Sequence, residues 1–203
     1  MNITIRPAEP RDVPRMLALV KELAVFEKEP AAVIVTEAQM LEDGFGKKPV
    51  WFGWVAEGPV DGCQLPVGSG GAGGSPDNQH LTTGNEHLTT DNEQPTTDNQ
   101  QRTTDNPILG MALCYERYST WKGRCLYLED IVVTEAARGQ RIGERLFRTC
   151  VEHAVADGFH GMRWQVLDWN TDAIRFYERF GAEVSAGWLN GDLTEAQLRA
   201  LAG

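Results

Sequence analysis

The sequence predicts an α/β (α+β) domain, and three observations carry that reading. Strand-like and amphipathic helix-like segments alternate along the chain. Residues 126–143 read as a strand, a tight glycine-bearing turn and the start of a helix. The length, 203 residues, suffices for one domain with a substantial core and requires no second domain. The strand–turn–helix order also gathers main-chain N–H groups and a helix N-terminus at one spot, which makes a seat for a phosphate or pyrophosphate.

Residues 3–6 alternate as a strand that Pro7 closes. Val13, Met16, Leu17, Val20, Leu23 and Ala24 then recur at the three-and-four spacing of a helix lying on a core. A shorter helix starts at Thr36, whose hydroxyl can cap it, and runs through Met40 and Leu41 to a stop at Gly44. Residues 50–56 form a buried strand, and residues 108–115 and 124–133 form two more, joined by a polar turn at 119–123. The helix after Gly143 sets Ile142, Leu146, Cys150 and Ala154 in one row with Phe147, Val151 and Val155 beside it, a core-facing stripe. A strand at 161–167, a helix at 171–180 ended by Gly181, and a final helix at 194–202 complete the reading.

Between about residues 57 and 106 the composition changes to glycine-rich sequence and then a degenerate seven-residue repeat, Leu-Thr-Thr-Asp-Asn-Glu in its clearest form. A coiled-coil seam needs two apolar residues per seven, and this repeat carries at most one. It buries too little to offset its ordering entropy, so it is expected to be a disordered or weakly ordered insertion between two strands of a hairpin within the single domain. His80 and His87 lie in that polar tract and are not read as metal ligands; no metal is expected.

The formal charge of -10 argues against nucleic acid as a partner and suits a cationic small molecule. The four cysteines, Cys63, Cys114, Cys125 and Cys150, lack metal or redox spacing and read as reduced packing residues. The N-terminal residues show no basic-then-apolar leader and no later run is long enough to span a bilayer, so a soluble cytoplasmic protein without a membrane partner is expected.

The segment Arg138-Gly-Gln-Arg-Ile-Gly143 resembles the acyl-CoA pyrophosphate loop of the GNAT superfamily of N-acetyltransferases, with Arg141 standing where that motif has its central glycine. Arg6-Pro7, the strand 128–133, and Trp169-Asn170 leading into Phe176-Tyr177-Glu-Arg-Phe-Gly181 add to the resemblance, which covers the chain apart from the repeat. Within the superfamily the chain is most similar to diamine (spermidine/spermine) acetyltransferases and thialysine acetyltransferases, through Lys21-Glu-Leu-Ala24, Leu41-Glu-Asp-Gly-Phe-Gly46 and Leu126-Tyr-Leu-Glu-Asp130. The resemblance implies the acyl-CoA N-acyltransferase fold, a mixed, mostly antiparallel sheet flanked by helices, and a homodimer. It implies acetyl-CoA as cosubstrate and direct acetyl transfer to a primary amine of a small cationic metabolite, a diamine, a polyamine or a lysine-like amino acid.

By resemblance, acetyl-CoA contacts fall on Ile131, Val132 and Val133, on Arg138, Gly139, Gln140, Arg141, Ile142, Gly143 and Glu144, and on Asn170, Thr171, Asp172 and Ala173. Arg141 at a glycine position either obstructs close approach or adds a cation for a phosphate, and the second reading is preferred. Tyr177 matches the general acid that protonates the departing sulfur. Glu129 interrupts an apolar strand and is the candidate base, able to hold a cationic amine and accept its proton. The amine groove is assigned to Phe26, Glu27 and Glu129, to Arg163, Trp164 and Gln165, and to Gly187 and Trp188. Phe26 stands where the family commonly has tyrosine, and Ala186 where polyamine enzymes carry a carboxylate, which favours a shorter diamine or an amino-acid side chain over spermine. Peptide, protein or antibiotic amines remain alternative acceptors, as does a catalytically silent acyl-CoA-binding module.

Overall fold

A computed structural model describes residues 2–59, 106–187 and 189–203. The repeat tract, with Cys63, His80 and His87, lies outside the described residues, as does Trp188. The chain divides into two units, Met1–Met162 and Arg163–Gly203.

In the first unit the order is β1 (Thr4–Pro7), α1 (Val13–Phe26), α2 (Glu37–Phe45), β2 (Phe52–Glu57), β3 (Ile108–Ser119), β4 (Gly123–Val133) and α3 (Ile142–Ala156). Strands β1 to β4 follow one another across the sheet in chain order, each antiparallel to the next, and β5 (Met162–Arg163) closes the order beside β4. Ahead of β5, His160 N–H donates to Arg124 O and Leu126 N–H to Gly161 O, so both segments advance together in the parallel sense. The sheet is therefore mixed and mostly antiparallel. β2 and β3 form a hairpin, with Gly58 N–H donating to Pro107 O at the mouth where the described residues break off.

Each face of the sheet is covered for a reason legible in side chains. Val13, Met16, Leu17 and Leu19 of α1 pack with Met40, Trp51, Val55, Met111 and Val132 on one face. Leu146, Phe147 and Cys150 of α3 are buried on the other, where the Cys114 and Cys150 sulfurs lie 3.8 Å apart as free thiols. Arg6 ties the first layer together: its guanidinium grips buried Asp12 through both oxygens at 2.6 and 2.9 Å and Glu57 at 2.7 Å.

Several sequence expectations change. Thr36 does cap α2, in a reciprocal box with Gln39, but the helix passes through Gly44 to Phe45. Gly44 is required for another reason: a Cβ there would lie 2.2 Å from the Trp51 indole. Val151 and Val155 do not belong to the buried stripe of α3; they are 40% and 76% exposed, because a helix of fifteen residues turns its flanking row past the edge of the contact face. The strand expected over 161–167 shrinks to Met162–Arg163.

The second unit contains α4 (Thr171–Glu178), stopped by Gly181 at φ 79°, and α5 (Glu195–Ala202), capped by Thr194 with Gln197. Among the described residues no helix is long and apolar enough to cross a membrane.

Candidate active site

The site begins with an irregularity in a strand pair. On β4, Leu128 lies opposite Cys114 and Asp130 lies opposite Leu113, so Glu129 is an extra residue with no partner across the ladder. Such a bulge turns two successive side chains toward one face and breaks the alternation that would otherwise separate them. Glu129 is exposed and Asp130 half-buried.

Around this bulge the groups are acidic and aromatic. Tyr115 and Tyr127 stack across the strands with ring centres 4.9 Å apart. Burial raises both phenols above the usual tyrosine range, and the nearby Glu129 carboxylate raises them further. The Asp130 carboxyl is pushed up to about 6, chiefly by burial and then by the charges of Glu129 and Glu27. Glu27 closes the C-terminus of α1, where burial raises its carboxyl too. Glu27 and Asp130 line one open cleft of about 330 Å³, walled by Leu23 and Ala24 of α1 and by Val33 to Val35, with Glu29 at its side. Desolvated carboxylates repelling one another in a cleft are stabilised by a cation.

The loop before α3 presents donors. Arg138 turns its Nε onto Val133 O at 3.3 Å and lays its guanidinium 5.8 Å from the Phe26 ring, and Phe26 is 42% exposed. Gly139 and Arg141 both take positive φ, 79° and 59°, so the loop reverses twice before the helix begins at Ile142. Among the described residues none of the main-chain amides of Gly139, Gln140, Arg141, Ile142, Gly143 and Glu144 donates to a main-chain carbonyl, and the buried Gln140 Oε1 has no partner. Free amides converging at the N-terminus of a fifteen-residue helix fit a pyrophosphate by charge and by hydrogen-bond capacity. The amide of Thr134 donates to Leu109 O, so by alternation those of Ile131 and Val133 point away from β3 and that of Val132 toward it. Among the described residues, the edge they face carries only the two-residue β5 against the eleven residues of β4.

In the second unit, Asn170 caps α4, its Oδ1 accepting from the Ala173 N–H at 3.2 Å, with Thr171 and Asp172 exposed in the first turn. Tyr177 is 6% exposed and packs on Trp164 at 4.6 Å and Phe176 at 5.1 Å. Arg163 is exposed, Gln165 donates to Asn190 at 2.7 Å, and Gly187 has φ 124°.

Sequence reasoning missed Asp130, Glu29 and Tyr115. A signal for Asp130 existed: two adjacent carboxylates in an apolar strand cannot share a face without a bulge. The family resemblance grouped Glu27 with Glu129, but that Glu27 shares a cleft with Asp130 depends on how α1 lies over the sheet.

The profile of the acetyltransferase (GNAT) family matches residues 74–182. A thialysine N-epsilon-acetyltransferase of Bos taurus is 33% identical over 96% of this chain and 88% of its own length. An L-ornithine N5-acetyltransferase of Arabidopsis thaliana is 29% identical over 95% of this chain and 86% of its own. In fold, the chain is similar to an aminoglycoside acetyltransferase from a soil metagenomic sample, with TM-score 0.60, 14% identity and coverage of 95% and 97%.

Proposed function

The chain belongs to the acetyltransferase (GNAT) family and is an acetyl-CoA-dependent N-acetyltransferase, and from that premise we propose that its acceptor is a primary amine on a small cationic metabolite, a diamine or polyamine or a thialysine- or lysine-like amino acid. One observation carries the reading: the desolvated carboxyls of Glu27 and Asp130 line a cleft beside the bulged Glu129. A cation entering there relieves the repulsion that lifts Asp130, so the site favours the charge that such metabolites carry. The names of the thialysine and ornithine relatives support the same class.

When bound, acetyl-CoA supplies an acetyl group activated as a thioester. The free amides of Gly139 to Glu144 hold its diphosphate, and Arg141 adds a cation. The outward-facing amides of Ile131 and Val133 bind the pantetheine arm and the carbonyl oxygen as charge develops there. Glu129 accepts, directly or through water, the proton that the ammonium must lose before its nitrogen can attack. The nitrogen–carbon bond then forms and the carbon–sulfur bond breaks, while the Tyr177 hydroxyl protonates the departing sulfur. No cysteine is used as a nucleophile; Cys114 and Cys150 are buried against each other, and that contact first and burial second raise the Cys114 thiol. Phe26, Arg163, Trp164, Gln165, Gly187 and Trp188 complete the acceptor groove in this reading. The homodimer and the cytosolic setting belong to it through the family resemblance and the free buried thiols.

Thiol release from acetyl-CoA, measured across putrescine, spermidine, spermine, thialysine, lysine and ornithine, tests the proposal. Turnover of at least one of these supports it, and turnover of peptides alone would overturn it.

A further inference from the structure

On β3, Leu113, Tyr115 and Arg117 share one face by the period of two, and the register sets Tyr115 opposite Tyr127 and Arg117 opposite Cys125. The guanidinium of Arg117 lies 5.6 Å from the Tyr127 ring centre. Two charges act on the same pair of phenols. Glu129 raises both Tyr115 and Tyr127, whereas Arg117 lowers both. The stacked rings are therefore bracketed by the carboxylate of the bulge at one end and a guanidinium at the other.

Among the described residues no carboxylate lies within ion-pair distance of Arg117. Arg124, close by on β4, shows the contrast: its guanidinium is forked onto Glu116 at 2.9 and 2.8 Å. Nor can Arg117 serve the loop at Arg138. Cys125, its opposite residue, precedes Val133 by eight positions, which is roughly 26 Å of strand. From Cys125 to Glu129 the strand runs only about 13 Å, a span that an arginine side chain and a small amino acid laid end to end can cover.

We propose that Arg117 is a specificity-determining residue that receives the carboxylate of the acceptor, so that the preferred acceptor is a free α-amino acid with a primary amine at the end of its side chain. The inference rests on the amine-acetyltransferase reading above and narrows it. A dipolar amino acid places its carboxylate on Arg117 and its reacting amine at Glu129, with the tyrosine rings beneath its methylenes. A diamine gains nothing from Arg117 and meets its repulsion instead. Arginine suits this task because its planar fork matches a carboxylate in two hydrogen bonds.

Initial rates with L-ornithine and L-lysine, set against putrescine and cadaverine, their counterparts lacking the carboxylate, test the inference in the wild type, Arg117→Ala and Arg117→Lys. The wild type is expected to prefer the amino acids. In Arg117→Ala the ratio of kcat/KM for ornithine to that for putrescine falls by about 10- to 100-fold, mostly through KM, and Arg117→Lys restores part of it. A ratio unchanged in Arg117→Ala, or a wild type that prefers the diamines, overturns the assignment and leaves amine acetylation standing. Failure to acetylate any of the four together with every other amine would remove both.

Discussion

Glu129 and Asp130 are consecutive on β4, yet only Asp130 has a residue opposite it on β3. The unpaired position leaves Glu129 exposed, where it can reach an amine. Glu129→Gln keeps size and hydrogen bonding but removes the base. Turnover is expected to fall by about 10²- to 10⁴-fold with little change in the KM for acetyl-CoA. Steady-state kinetics checks this, and undiminished turnover would take proton acceptance away from Glu129.

Asp130 supplies a pH dependence with a definite sign. Its carboxyl is raised from 3.8 to about 6, so it is neutral below that pH and charged above it. The KM for a cationic amine is therefore expected to fall as pH rises through about 6, and Asp130→Asn removes that inflection. Stability moves the other way. A group ionised less readily in the folded state costs stability once pH exceeds its unfolded value and most fully above about 6, so Asp130→Asn stabilises the protein at pH 7 by about 1–3 kcal/mol. Denaturant unfolding at pH 4 and pH 7 reads the difference.

Arg141 occupies the left-handed region at φ 59°, which explains why a glycine suits that position. Arg141→Gly removes backbone strain and is expected to raise stability by about 0.5–1 kcal/mol. It also removes a cation from the loop, so the KM for acetyl-CoA rises several-fold, less so at high salt. A KM that falls instead would show that the side chain obstructs the diphosphate.

Much of this was legible in sequence, because it depends on local rules. The spacing of Val13, Met16 and Leu17, the Thr36 cap and the glycine-bearing turn at Arg138 each need only a few neighbouring residues. What escaped depends on distant partners. The bulge at Glu129 exists only relative to Leu113 and Cys114, and the raised Asp130 carboxyl depends partly on Glu27, more than a hundred residues earlier. Gly44 looked like a helix stop because Trp51, the side chain that needs its missing Cβ, acts across a turn.

Tyr177 is packed on Trp164 and Phe176, contacts that phenylalanine retains. Tyr177→Phe is expected to lower kcat by about 10²-fold or more while leaving the affinity for acetyl-CoA near its original value. Calorimetric titration beside turnover separates the two, and an unchanged kcat would remove Tyr177 as the acid.

The central claim is that the acetyl group passes straight from acetyl-CoA to an amine held beside Glu129. Initial rates measured while both substrates are varied test it most directly: the account predicts double-reciprocal lines that converge, as a ternary complex requires. Parallel lines, with an acetylated protein trapped when acetyl-CoA is supplied alone, would contradict it.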